Sequence, residues 1–146
     1  MLKPDHRLIP FETSPLPAGP WLVFAPHADD ETYGMAGSLL KADAAGIETH
    51  LVVMTDGALG GSAEDLVDVR RQEVQAAAKI LGIDSLDSWQ EPDRGLAVSA
   101  ALVSKVAQKI QDVGAASIFF PGPLELHPDH RVTALLVWAA LQQLNG

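Results

Sequence analysis

Apolar residues along the chain fall into two rhythms: short unbroken runs, and longer stretches in which they recur every three or four positions. Residues 21–25 read Trp-Leu-Val-Phe-Ala with no polar interruption, as a strand buried on both faces does. Residues 31–45 follow with helical spacing, placing Tyr33, Ala36, Leu40 and Ala44 on one face before Gly46 closes the helix. The pair then repeats, with a strand over 49–54 and a helix over 65–81 that ends at Gly82. A weaker strand lies at 86–89, and the spacing of Leu102, Val106, Ile110 and Val113 predicts a helix over 101–113. A fourth strand over 116–120 and a last helix from about 131 to 144 complete the series. Such alternation means a mainly parallel sheet with helices on both faces, an α/β Rossmann-like three-layer sandwich. In doubly wound sheets the chain reverses direction beside the first strand, giving the order 3-2-1-4, and ligands bind at the carboxyl ends of the strands flanking that switch. Functional groups are therefore expected directly after Ala25 and soon after Phe120.

Residues 1–20 hold Pro4, Pro10, Pro15, Pro17 and Pro20, which remove donors and fix φ, so an extended arm is expected there. Residues 21–146 are expected to form one domain, since 146 residues suit a single core. A content of 47% hydrophobic and 20% charged residues is that of a folded globular chain. The net charge of -9 disfavours phosphate backbones and anionic lipid, so neither nucleic acid nor membrane is an expected partner. The absence of cysteine excludes disulfides, thiolate ligands and a thiol nucleophile, leaving imidazoles and carboxylates to hold any metal. The proline-broken N-terminus lacks the apolar stretch of a signal peptide, and no run spans a bilayer, so a cytoplasmic location is expected.

The two loops singled out by topology carry Pro26-His27-Ala28-Asp29-Asp30-Glu31 and His127-Pro128-Asp129-His130. His27 and Asp30 stand three apart at a strand-to-helix turn, which can aim both at one point, while His130 can approach from the neighbouring strand. Two imidazoles and a carboxylate suit a divalent metal, most readily zinc although another divalent ion is an alternative, with a position left for water. Such an ion lowers the pKa of its water and polarises a carbonyl. Asp29 could then take the proton from that water, and His127 could stabilise an oxyanion or protonate a leaving amine. A simpler account exists for each cluster: acidic residues opening a helix cap it and favour its dipole, and His-Pro-Asp-His can be a turn that caps the final helix. The coincidence of both clusters at the switch point favours a site.

These residues resemble the signature of the LmbE-like family, the zinc-dependent de-N-acetylases that include N-acetylglucosaminyl-phosphatidylinositol de-N-acetylase (PIG-L) and the deacetylases of mycothiol and bacillithiol synthesis. Thr55-Asp56-Gly57, Arg70 with Glu73, and Pro92-Asp93-Arg94-Gly95-Leu96 resemble further family positions in the same order. The resemblance implies that His27, Asp30 and His130 are metal ligands, Asp29 the general base, His127 the residue facing the tetrahedral intermediate, and Arg70 a substrate contact. It also implies a hydrolase that removes an N-acetyl or other acyl group from an amino sugar or related small molecule, an N-acetylated small-molecule substrate being the expected partner. Position 28 is alanine where the family commonly has proline, serine or threonine.

Other positions admit two readings. Asp56 could contact a substrate hydroxyl, although Asp-Gly after a strand is usually a turn, and Arg70 could pair with Glu73 on the helix surface. Gly34 and Gly37 are expected to permit close packing of helix on sheet, and neither His6 nor His50 is assigned to the site. The last helix is apolar on nearly every face from Val132 to Leu141, so a second subunit or a C-terminal segment present in longer family members is expected to cover it. A homo-oligomer is one expectation that follows. Because family members usually continue past this point, a C-terminal part is expected to be missing, and a non-catalytic metal- or ligand-binding module that has lost turnover is the alternative function.

Overall fold

The computed structural model describes residues 14–59 and 65–146; most of the arm expected over 1–20, including His6, therefore lies outside the described residues. From 14 to 20 the chain forms neither helix nor strand, and the Ala18 carbonyl accepts the Ser117 hydroxyl at 2.7 Å. Thereafter strands and helices alternate: β1 (Trp21–Ala25), α1 (Asp30–Ala44), β2 (Thr49–Thr55), α2 (Leu66–Leu81), β3 (Ser85–Glu91), α3 (Ala100–Val113), β4 (Ser117–Phe119) and α4 (Pro128–Asn145). All pairings are parallel and the order is β3-β2-β1-β4, as the alternation predicts. β1 lies between β2 and β4 and is buried at every position, which is why its sequence is uniformly apolar.

Alternate residues of the central strands feed two cores. Leu22, Phe24, Val52 and Met54 face α3 and α4, meeting Leu102, Val106, Ile110, Leu136, Val137 and Ala140. Val23, Ala25, Leu51 and Val53 face the opposite way, meeting Leu39 of α1 with Val74 and Leu81 of α2. Each large aliphatic side chain buried in this way contributes about 1.5–3 kcal/mol. Ser99 caps α3 by accepting the Leu102 N–H at 3.2 Å, and Gly82 and Gly114 end α2 and α3 in the left-handed conformation that glycine adopts without penalty. Among the described residues no helix is long and apolar enough to cross a membrane.

Four details differ from the pattern. The buried stripe of α1 is Glu31, Leu39 and Ala42, whereas Tyr33 is 88% exposed and Leu40 is also exposed, so the helix is turned away from the expected face. Its weak amphipathicity left the choice to tertiary packing. For the same reason Gly34 and Gly37 make no close approach: a Cβ at either would meet nothing within 4 Å. β3 is longer than expected because it is an edge strand, where polar residues are tolerated; Lys109 Nζ lies 2.7 Å from Asp87, and Lys105 sits over the Trp89 ring at 4.2 Å. α4 begins at Pro128, ahead of the expected start, because proline suits the first position of a helix. One face of α4 is buried, yet Leu135 and Trp138 on its other side are 51% and 62% exposed.

Candidate active site

β1 ends at Ala25, and the Pro26 carbonyl then accepts the Thr55 N–H at 3.0 Å and the Thr55 hydroxyl at 2.8 Å. These bonds tie the end of β1 to the end of β2 and fix the point from which His27 departs. Asp30 opens α1, and its Oδ2 accepts the His27 backbone N–H at 2.9 Å. The same oxygen lies 3.3 Å from His27 Nδ1 and 3.3 Å from His130 Nε2. His130 comes from the first turn of α4, reached through the loop after β4. Asp30, one of three residues expected to share a metal ion, thus reaches both of the others across the switch point.

Ligand atoms of a tetrahedral site with bonds of about 2.0–2.1 Å are about 3.3–3.4 Å apart. Both Asp30 separations match that edge, as they would if Asp30 shared a divalent ion with each histidine. The other nitrogen of His27, Nε2, is 3.2 Å from Asp129 Oδ2 and 3.5 Å from Asp93 Oδ1. Asp129 is fully buried; its Oδ2 also accepts the Arg94 N–H at 2.8 Å, and its Oδ1 has no hydrogen-bond partner among the described residues. A carboxylate behind an imidazole orients the ring and places the proton on the nitrogen facing it, which leaves Nδ1 as the lone-pair donor.

Electrostatics couple the cluster. Burial opposes charge on His27, but the carboxylates of Asp30, Asp129 and Asp93 outweigh it and raise the imidazole pKa above its usual value. Burial likewise opposes charge on Asp30, and its hydrogen bonds from His27 together with the nearby His130 outweigh that and hold its carboxyl below the ordinary range. His127 is the N-cap of α4, where its Nδ1 accepts the Asp129 N–H at 3.3 Å. Its ring centroid is 4.6 Å from that of His27 and 5.4 Å from that of His130. Desolvation, with the charges of His27, His130 and Arg94, lowers its pKa against the pull of Asp129, and the neutral ring carries its proton on Nε2.

His27, His127 and His130 offer ligand atoms within 4.8 Å of one another, and His27, Asp93, His127 and Asp129 form an overlapping group on the same criterion. In the second group Asp93 Oδ2 and Asp129 Oδ2 accept the backbone N–H groups of Leu59 and Arg94, as Asp30 Oδ2 accepts that of His27.

Asp29 occupies the N-cap position of α1, yet its side chain makes no capping bond. Its Oδ2 instead lies 3.4 Å from Arg70 Nη1, so helix capping does not account for it and Arg70 pairs here rather than with the exposed Glu73. Beside this pair is a cavity of about 180 Å³ whose wall includes His27, Asp29, Arg70, Asp93, Arg94 and His127. A second cavity of about 450 Å³ is lined by Asp30, Glu31, His130, Phe119 and Phe120 among others. Asp56 does not line the smaller cavity. Its Oδ1 accepts the Ala58 N–H at 3.0 Å and the Asp93 N–H at 3.2 Å, joining the loops after β2 and β3. His50, at the opposite end of β2, contacts Ser85 Oγ at 2.6 Å and Glu48 at 3.0 Å.

Sequence reasoning gave no role in the cluster to Asp93, Asp129 or Arg94. Asp129 read as a helix cap, and its pairing with His27 spans 102 positions, which no local pattern reveals. Arg94 adopts φ 56° in a turn closed by the Gly95 N–H on the Pro92 carbonyl at 3.0 Å. A non-glycine residue in such a conformation costs on the order of 1–3 kcal/mol.

The chain is similar to known proteins over most of its length. The family model described as PIG-L: GlcNAc-PI de-N-acetylase matches residues 22–141. The diacetylchitobiose deacetylase of Thermococcus kodakarensis is 28% identical over 123 residues, covering 79% of this chain and 46% of that protein. A probable N-acetyl-alpha-D-glucosaminyl L-malate deacetylase 2 of Bacillus anthracis is 30% identical over 132 residues, covering 82% and 58%. Among solved structures, the N,N'-diacetylchitobiose deacetylase from Pyrococcus horikoshii complexed with its inhibitor MPG matches with a TM-score of 0.79 at 30% identity, covering 84% of this chain and 49% of that one. The chain spans about half the length of the curated relatives it matches.

Proposed function

Since the chain belongs to the PIG-L, or LmbE-like, family of de-N-acetylases, we propose that it hydrolyses the acetamide of an N-acetylated amino sugar or related small molecule, with a divalent ion, zinc by preference, as cofactor. In this reading His27, Asp30 and His130 hold the ion. The observation that carries it is the placement of Asp30 Oδ2 at 3.3 Å from both His27 Nδ1 and His130 Nε2, beside a cavity walled by Asp29 and His127. When bound, the ion supplies a Lewis acid for the amide carbonyl and for the attacking water.

The chain's own residues supply the remaining parts. Asp29, oriented by Arg70, accepts a proton from the water as its oxygen bonds to the acyl carbon. His127 donates a hydrogen bond from Nε2 to the oxygen on which charge develops, since its Nδ1 is occupied by the Asp129 N–H. As the carbon–nitrogen bond breaks, the proton held by Asp29 passes to the departing amine, giving acetate and a free amine. Asp129 and Asp93 position His27, and Asp56 holds the loop that presents Asp93. Arg70, on the cavity wall, also contacts the substrate.

Acetate release from N-acetylglucosamine derivatives tests the proposal, run with zinc, with chelator, and with Asp29→Ala. Turnover that needs both the metal and Asp29 supports it. Because the chain covers about half of its curated relatives, the second reading is a module that holds the metal without turnover. Tight metal binding with no acetate released from any of these amides would favour that reading.

A further inference from the structure

The turn from Pro92 to Gly95 places Arg94 where its φ is 56°, in the third position of a turn that ordinarily takes glycine or asparagine. Nothing in the turn requires arginine there. Its closing bond joins Gly95 to Pro92, and the bonds that fasten it to the rest of the site use the backbone N–H of Asp93 and of Arg94, which glycine at position 94 would also supply. The side chain therefore accounts for the residue, which is exposed and lines the 180 Å³ cavity with His27 and His127.

Charge on that wall is unevenly matched. Asp29 is paired with Arg70 at 3.4 Å, and Asp93 is engaged by the Leu59 N–H at 3.0 Å and by His27 at 3.5 Å. Among the described residues Arg94 has no carboxylate within ion-pair distance of its guanidinium, although the chain as a whole carries 19 Asp and Glu against 10 Lys and Arg. A lone guanidinium at the mouth of a cavity in an acidic protein is suited to a carboxylate or phosphate, which it binds through paired N–H donors.

Resting on the deacetylase reading for what the substrate is, we propose that Arg94 is a specificity-determining residue: it recognises an anionic group, carboxylate or phosphate, carried on the aglycone of the N-acetylated sugar. Arg70 lies on the same wall and adds a second positive charge, but its pairing with Asp29 leaves Arg94 as the principal contact.

The test compares methyl, carboxymethyl and 1-phosphate forms of N-acetyl-α-D-glucosamine on the metal-loaded wild type, Arg94→Gly and Arg94→Lys. The wild type should show a kcat/KM about tenfold or more higher for a charged form than for the methyl form. The better of the two charged forms identifies the anion. Arg94→Gly should lose at least tenfold more on that form than on the methyl form, through KM, and Arg94→Lys should recover part of the loss. Arg94→Gly should also melt no lower than wild type, because glycine accepts the left-handed backbone. Equal handling of all three forms by wild type, an equal loss on all three in Arg94→Gly, or a lowered melting temperature would overturn the proposal. If the wild type deacetylates none of them, the deacetylase reading has failed, and calorimetry with glucosamine 1-phosphate and carboxymethyl glucosaminide decides the subsite alone. At least one of them binding wild type about tenfold more tightly than Arg94→Gly supports it, and equal binding of both overturns it.

Discussion

Replacing Asp129 with asparagine separates the metal centre from the fold. One oxygen of Asp129, Oδ2, faces both His27 Nε2 at 3.2 Å and the Arg94 N–H at 2.8 Å. An asparagine carbonyl placed there keeps both acceptor contacts and removes the charge. Hydrogen bonds to a charged group contribute about 1.5–3 kcal/mol and neutral ones about 0.5–1.5, so the two contacts together lose about 2 kcal/mol. Removing a fully buried charge, one of whose oxygens has no partner among the described residues, offsets that loss. Metal-free stability, read from urea unfolding in the presence of chelator, should therefore change by no more than about 2 kcal/mol. Metal affinity should fall further, because the carboxylate that holds the Nε2 proton of His27 also keeps Nδ1 available as a ligand. Loss of such a partner typically costs 10- to 100-fold in affinity, or about 1.4–2.7 kcal/mol. Competition against a chromophoric chelator at fixed pH measures this directly. An affinity equal to wild type would refute the positioning role, and complete loss of binding would make Asp129 a ligand itself.

Three further outcomes follow from the geometry. Asp29→Ala should lower acetate release by about 10²- to 10⁴-fold while metal affinity stays within a few-fold of wild type; comparable turnover would remove Asp29 from the chemistry. Burial, joined by the charges of Asp29 and Asp30, raises the Glu31 carboxyl above the usual range, so the folded state holds that proton more tightly than the unfolded one. Its contribution is fully present below about pH 4.3 and is lost as pH rises through the raised value, so the stability of Glu31→Gln relative to wild type should increase between about pH 4 and pH 7; a difference that is flat with pH would contradict this. On α4, Leu136→Ala should cost about 2–5 kcal/mol in chemical unfolding and Leu135→Ala about 0.5 or less, since the first side chain is fully buried and the second is half exposed; equal costs would mean that Leu135 is covered in solution.

Much of this architecture is legible in the chain because β1 and the middle of β2, Leu51 to Met54, are buried on both faces and are apolar without interruption. Once those strands are recognised, topology alone points to the loops after Ala25 and after β4, where His27, Asp30, His127 and His130 converge. Legibility fails where one local pattern serves two physical ends. The repeating apolar positions of α1 allow more than one buried stripe, and burial of Glu31 and Leu39 rather than Tyr33 and Leu40 depends on the sheet beneath. A proline after a histidine reads as a loop but also begins a helix, which brings His130 into the first turn of α4. Asp93 and Asp129 acquire their importance from His27, which is remote from both in sequence, so composition and spacing around either residue carry no sign of it.

The position of the bound metal tests the ligand assignment most directly. A crystal of the zinc-loaded protein, with data collected across the zinc absorption edge, should give one anomalous peak about 2.0–2.2 Å from His27 Nδ1, Asp30 Oδ2 and His130 Nε2. A peak bonded instead to Asp93 and Asp129, or zinc-loaded crystals with no peak near His27, would contradict it.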